Sequence, residues 1–179
     1  MNLSLLTDFY ELTMAGGYLK NGRENRTACF DMFFRKVPDR GGFGIMAGLE
    51  QLVDELEHLS FSHDDIDYLR SLSLFDEAFL QYLSNFRFSC DVWAVPEGTP
   101  IFPMEPIVTV VGPVAQAQLI ETLLLITINY QSLVATKANR IVRATQGRPV
   151  LEYGARRAHG ASAAVYGARG AYIAGWAGT

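Results

Sequence analysis

Apolar residues recur along this chain in several rhythms, and each rhythm predicts its own element. Near the start, Tyr10, Met14, Gly17 and Tyr18 fall at helical spacing behind Asp8 and Glu11, a pair placed like a capping box. That predicts a helix over 8–20, stopping near "KNG". In "TACFDMFFRKVP" the period changes to two, with Phe30, Met32 and Phe34 on one face and Asp31, Phe33 and Arg35 on the other. The expectation is a half-buried strand ending before Pro38, then a turn in "DRGGFG". In "IMAGLEQLVDELEHL", Ile45, Leu49, Leu52, Val53, Leu56 and Leu59 alternate with acids as on an amphipathic helix. A second helix is predicted from "SHDDIDYLRSL", with Ser62 as N-cap and Asp64 and Asp65 in its first turn. "DEAFLQYLSNF" predicts a third, shorter one.

From 88 to 112 the texture becomes β-branched and aromatic, punctuated by Pro96, Pro100, Pro103 and Pro106. Short antiparallel strands joined by tight turns are expected there. Residues 1–112 therefore predict an α+β domain. Pro113 opens a helical tract reaching about Thr145, long enough to suggest two helices with a break near Asn129. "RPVLEY" then predicts a buried strand and "ASAAVYGARGAYIAG" a small-residue helix. Helix, strand and helix in succession over 113–179 suggest the start of a parallel sheet or barrel. The small-residue ending "GAYIAGWAGT" leads to the expectation that this is the front part of a longer protein.

Composition narrows the class. Hydrophobic residues make up 49% and charged residues 19%, enough for a packed core and too few charges for disorder. No apolar run reaches the roughly 18 residues of a membrane span. The N-terminus has no basic region before its apolar residues, unlike a signal peptide. Cys29 and Cys90 sit in apolar strand-like runs and are expected to be buried free thiols, and the cytoplasm is the expected compartment.

The net charge of −4 conceals a gradient. Residues 1–136 carry 8 Lys and Arg against 18 Asp and Glu, whereas 137–179 carry seven basic residues against Glu152 alone. One explanation is a basic helix pairing with acidic neighbours; the other is a site for anions such as phosphate. The short basic segment in an acidic chain does not favour nucleic acid.

No ready-made catalytic or metal-binding motif is present. His58 and His63 are expected to be solvated, and His159 follows an arginine pair in a glycine-flanked loop. Glu97, Glu105 and Glu121 stand isolated among apolar neighbours. The strongest local signal is "EYGARRAHG". If 149–153 is a parallel strand, Gly154–Gly160 is the loop at its C-terminal end, where α/β barrels gather their sites. Gly154 allows close approach of backbone, Tyr153 offers a flat ring, and Arg156 and Arg157 offer planar permanent charges. Together they specify an anion and an aromatic ring.

"LLTDFYELTMAGGY", "FDMFFRKVP", "PEGTPIFPMEPIVTVVGP", "ETLLLITINYQSLVATKANRIV" and "EYGARRAHG", in this order from Leu5 to Thr179, resemble nicotinate phosphoribosyltransferases. The resemblance implies an N-terminal α+β domain followed by the beginning of an irregular α/β barrel of the type II phosphoribosyltransferase kind. It implies the joining of nicotinate to 5-phosphoribosyl 1-diphosphate in NAD salvage, with coupled ATP hydrolysis, Mg²⁺ on the diphosphate, and a homodimer with shared active sites. Residue by residue, Tyr10 matches a tyrosine stacking on the nicotinate ring, typically across the dimer, and Tyr153 matches the aromatic on its other face. Arg156 and Arg157 match arginines near the phosphoribosyl phosphate and the nicotinate carboxylate, with their division of labour left open. Thr179 lies where the family's "GTSN" turn begins. The family's phosphorylated histidine belongs to a later block, and none of His58, His63 and His159 matches it. Two alternatives stand beside this: a nicotinamide-specific relative, and a fragment that binds ligand or partner without turnover.

Overall fold

The structure, a computed structural model, describes residues 3–178. Helix α1 spans Phe9–Lys20 and strand β1 Thr27–Met32; a 3-10 turn at Pro38–Arg40 leads to β2, Gly44–Ile45. Helices α2 (Leu49–His58), α3 (His63–Ser71) and α4 (Glu77–Ser84) follow, then strands β3 (Asp91–Ala94), β4 (Pro100–Ile101) and β5 (Val108–Pro113). Helices α5 (Val114–Leu119) and α6 (Glu121–Ala144) come next, then a 3-10 turn at Ala155–Arg157 and α7 (Ala161–Ile173). The chain forms two compact units. Unit 1 takes the stretch up to Asp31, Leu52–Trp93 and Thr109–Leu125; unit 2 takes Met32–Gln51, Ala94–Val108 and everything from Ile126 on.

Unit 1 contains α1, α3, α4, α5 and the three-stranded sheet in the order β1-β5-β3. Its core includes Leu12, Leu52, Leu69, Phe79, Leu80 and Leu83, each at most 5% exposed. A run of aromatic contacts connects Phe9, Phe75, Phe79, Tyr82, Phe86 and Phe61 at ring separations between 5.4 and 6.5 Å. Such pairs each add about 0.5–1.5 kcal/mol beyond simple burial. Ser62 caps α3 in a complete capping box with Asp65, and Asp76 caps α4 through the Phe79 amide.

Helix α1 begins at the expected place, but by another device. Asp8 makes no side-chain cap; its own amide is held by Thr122 Oγ1 at 3.2 Å. Glu11 turns inward instead and is fully buried. It accepts hydrogen bonds from Thr7 Oγ1, from Thr122 Oγ1 at 2.7 Å and from the Thr122 amide at 3.2 Å. Burial raises the Glu11 pKa, while the bonds from Thr7 and Thr122 oppose that rise. The same carboxylate explains where the long helical tract breaks. The break falls at Ile120, between α5 and α6, and not near Asn129, which stays inside α6. A new helix start leaves amides without intrahelical partners, and Glu11 supplies one for Thr122.

In unit 2, β2 and β4 pair antiparallel, Gly44 with Ile101 and Ile45 with Pro100. Two hydroxyls one turn apart on α6 complete the free edge of this ribbon. Thr136 Oγ1 accepts from the Ile45 amide at 2.9 Å, and Ser132 Oγ accepts from the Ala47 amide at 3.0 Å. Ile45, Ala47, Ala135, Ala138, Ala171 and Ala174 form one buried cluster, packed by Phe43, Ile173 and Trp176.

Several expectations are corrected here. Strand β1 ends at Met32, short of the predicted length; it lies at the edge of its sheet, and burial along it begins only at its last residue. Cys29 is consequently exposed, while Cys90 is half-buried, and both are free thiols. Ile45 belongs to β2, so α2 starts at Leu49. The predicted buried strand at 149–153 is reduced to one parallel bridge, Leu151 to Gly178, with Leu151 48% exposed. Among the described residues the segment has no second sheet partner, and one ladder cannot bury both of its faces. Thr179 lies outside the described residues.

Gly48, just before α2, has φ of +102°, and a Cβ there would stand 2.7 Å from the Thr127 carbonyl oxygen on α6. In the full-length protein Gly48→Ala is expected to lower the unfolding free energy by about 3 kcal/mol, combining backbone strain with that clash. Denaturant titration measures this, and an unchanged midpoint would contradict the close approach.

Candidate functional site

The loop singled out by the sequence begins at Glu152 and ends at Gly160, wholly within unit 2. Its upstream end is fixed by the Glu152 amide donating to the Gly178 carbonyl at 2.8 Å, and the Ala177 amide donates to Val150 at 2.8 Å. The Glu152 carboxylate then folds back and accepts from the Gly154 amide. A Cβ at 154 would meet only this carboxylate, the mobile end of a side chain, so the turn admits glycine without requiring it. A 3-10 turn follows, closed by the Arg157 amide on Gly154 O at 2.8 Å. Gly160, with φ of +108°, turns the chain into α7.

The turn puts Tyr153, Arg156, Arg157 and His159 on the surface, Tyr153 at 65% exposure. Both arginine side chains are exposed, and among the described residues neither makes an ion pair. The other basic residues of this segment are mostly engaged. Lys137 and Arg140 face Asp39 at 3.7 and 3.0 Å, and the Arg143 guanidinium lies 5.7 Å over the Phe43 ring. Arg169 binds Glu50 and Glu97. Pairing with acids therefore accounts for part of the charge gradient. Among the described residues Arg148, Arg156 and Arg157 are left over, and two of these three stand side by side in the loop.

Tyr10 lies on α1 in unit 1, 45% exposed. Partial desolvation, a hydrogen bond to Glu121 and the charges of Glu11 and Asp8 push its phenol up to about 12. It is a neutral ring carrying a hydroxyl at physiological pH. The buried Glu11 beside it is what anchors this stretch of helix. Of the remaining sequence candidates, His58 and His63 are solvated and pair with Asp54 and Asp67 on their own helices.

Glu97, read as isolated in the sequence, occupies the centre of a network within unit 2. It sits in the turn before β4, where Gly98 takes φ of +81°. Its Oε1 accepts from the Gly48 amide at 2.6 Å and the Leu49 amide at 2.8 Å, capping the start of α2. Arg169 of α7 grips the same carboxylate with both terminal nitrogens, at 2.9 and 2.7 Å. Arg169 also reaches Gln131 Oε1 at 3.1 Å and the Glu50 carboxylate, and Gln131 donates to Gln51 at 2.5 Å. Burial raises the Glu97 pKa, but Arg169 and the two amides outweigh it and hold the carboxyl below the usual range. The Pro-Glu-Gly turn was a faint signal for this role; nothing local in sequence pointed to Arg169. No group of three or more His, Cys, Asp or Glu able to hold a metal occurs among the described residues, and no helix among them is long and apolar enough to cross a membrane.

Comparison with known proteins gives a consistent result. The family described as nicotinate phosphoribosyltransferase (NAPRTase) N-terminal domain matches residues 5–129. The chain is 49% identical over 176 residues to nicotinate phosphoribosyltransferase pncB2 of Mycobacterium tuberculosis, covering 98% of this chain and 38% of that protein. It is similar to the crystal structure of human nicotinic acid phosphoribosyltransferase, with a TM-score of 0.86 and 38% identity over 95% of this chain and 35% of that one. It is also similar to the nicotinate-nucleotide pyrophosphorylase of Pyrococcus furiosus, with a TM-score of 0.74 and 26% identity over 98% of this chain and 37% of that one. The chain thus spans little more than a third of the length of the relatives it matches.

The depressed pKa of Glu97 has a measurable consequence. Its stabilising contribution is complete above the ordinary carboxylate value of about 4.5 and is lost as pH falls through its lower folded value. Unfolding free energy should therefore fall more steeply below about pH 4.5 in the wild type than in Glu97→Gln. Parallel curves for the two proteins would rule out a carboxylate held by Arg169.

Proposed function

Because this chain belongs to the nicotinate phosphoribosyltransferase family, we propose that it is the N-terminal part of an enzyme that converts nicotinate and 5-phosphoribosyl 1-diphosphate to nicotinate mononucleotide and diphosphate. The observation that carries this for the chain's own residues is the exposed pair Arg156 and Arg157, without ion pairs among the described residues, beside the open ring of Tyr153. Nicotinate is a flat ring with a carboxylate, and its co-substrate is a polyanion. An aromatic face and fixed guanidinium forks fit both.

In this reading the pyridine nitrogen attacks the ribose C1 as the C1–O bond to diphosphate breaks, the electron pair leaving with the diphosphate. Positive charge develops on the ribose and negative charge on the leaving group. Arg156 and Arg157 neutralise the phosphate oxygens and the nicotinate carboxylate and fix their orientation. Tyr153 offers one face to the ring. Tyr10 is assigned the other face, contributed by the second subunit of a homodimer. Its phenol is neutral at physiological pH, as an unshifted one would also be, so it stacks without repelling the carboxylate. Thr179 is assigned to substrate binding. No protein nucleophile is required at C1.

Mg²⁺ is proposed to arrive on the diphosphate, since it favours phosphate oxygens. Glu152, the one acid of the segment 137–179, is committed to the Gly154 amide, and the loop offers the metal no further carboxylate. Coupled ATP hydrolysis, a place in NAD salvage and a cytoplasmic setting complete the reading. Residues 1–112 are proposed as the α+β domain and 113–179 as the entry into the barrel.

Full-length protein supplied with nicotinate, phosphoribosyl diphosphate, ATP and Mg²⁺ is expected to release diphosphate, and to do so with higher kcat/KM for nicotinate than for nicotinamide. Preference for nicotinamide would overturn the substrate, and no release with either would overturn the activity. In the same assay Tyr10→Ala should raise the nicotinate KM roughly three- to tenfold, the worth of an aromatic face. Its exposure predicts a stability change within about 0.5 kcal/mol. An unchanged KM would remove Tyr10 from the ring.

A further inference from the structure

We infer that Arg169 is a positioning residue for the arginine loop: through Glu97 it fixes the register of α7, the helix to which both ends of that loop are attached. The inference rests on the loop's proposed role as an anion site. Downstream, the loop runs into α7 at Gly160. Upstream, Glu152 and Val150 are hydrogen-bonded to Gly178 and Ala177, in the short extended segment that follows α7 after the turn at Ala174–Gly175. A displacement of α7 along its axis would therefore carry both loop ends with it.

Helix α7 has little else to set that displacement. Its sequence, ASAAVYGARGAYI, is mostly alanine and glycine, and Arg169 is its one charge. The small residues bring it close to α6. A Cβ on Gly170 would lie 3.0 Å from the Gln131 carbonyl oxygen, and one on Gly167 would lie 3.2 Å from the Tyr130 hydroxyl. Close approach of two smooth surfaces gives attraction with little registry, whereas directional polar contacts specify it. Arg169 supplies these from the third turn of α7: a fork on Glu97 and further contacts with Gln131 and Glu50. Glu97 is immobilised in turn by two backbone amides. At the other end, the bond from Tyr130 Oη to the Ala163 carbonyl, 2.7 Å, holds the first turn of α7. Arg169 is thus a guanidinium spent within the protein, setting the place of two that are not.

Three full-length proteins test this: wild type, Arg169→Met and Arg169→Lys. Turnover by the wild type is read first and decides the functional reading by itself. In Arg169→Met, assayed below its unfolding temperature, the KM for phosphoribosyl diphosphate should rise about tenfold with kcat changed less than about twofold, the signature of a displaced binding loop. Arg169→Lys keeps the charge without the fork and should recover part of that loss. A role in stability alone would lower the unfolding temperature and leave KM at its wild-type value, and that result would overturn the inference. Amide exchange at 153–160 needs no activity and is expected to quicken about tenfold in Arg169→Met. Unchanged exchange in the loop would overturn the inference even if the enzyme proved to have another substrate.

Discussion

One carboxylate organises the second unit of this protein. Glu97 accepts two amides from the start of α2 and two guanidinium bonds from α7, so a turn, a helix start and a second helix meet at a single residue. The charge is largely withdrawn from solvent, a placement that costs free energy unless it is paired and hydrogen-bonded. Here four donors offset that cost, three on Oε1 and one on Oε2. The glycine at 48 belongs to the same arrangement, because only a residue without Cβ brings those amides past the α6 backbone. A polar node of this kind specifies where helices sit, which a cluster built largely from alanine cannot do alone.

The same logic, inverted, marks the candidate site. In the basic last quarter of the chain, Lys137, Arg140 and Arg169 have acidic partners, and Arg143 lies over an aromatic ring. Among the described residues Arg156 and Arg157 have neither, and they share a turn built by Gly154, Glu152 and Gly160. Adjacent exposed guanidinium groups repel each other, and a ligand anion relieves that repulsion. The anions proposed for this turn are those of the nicotinate phosphoribosyltransferase reaction, a carboxylate and phosphates.

Much of this was legible in the sequence, and the failures share a cause. Hydrophobic period located α1, α3, α4 and α7, and Ser62 marked the start of α3, because those signals are local. That 154–160 forms a loop was legible too, since its glycines need no distant partner to be read. What escaped depended on residues far apart in the chain. Glu11 looked like a cap and proved to be a buried acceptor for Thr7 and Thr122, and it is this contact that sets the helix break at Ile120. Glu97 looked isolated, and its partners lie 48 to 72 positions away. The segment 149–153 has the composition of a buried strand, yet burial requires neighbours on both sides, and composition does not reveal whether they are there.

In the proposed function Arg156 and Arg157, which make no ion pair among the described residues, bind substrate anions. Calorimetric titration of phosphoribosyl diphosphate into the full-length protein tests it most directly, with Arg156→Ala, Arg157→Ala and, as a control, the ring-stacked Arg143→Ala. Loss of a charge-assisted contact in at least one of the loop variants should weaken binding about tenfold or more, with the control within about twofold of wild type. Wild-type affinity in both loop variants would contradict the account.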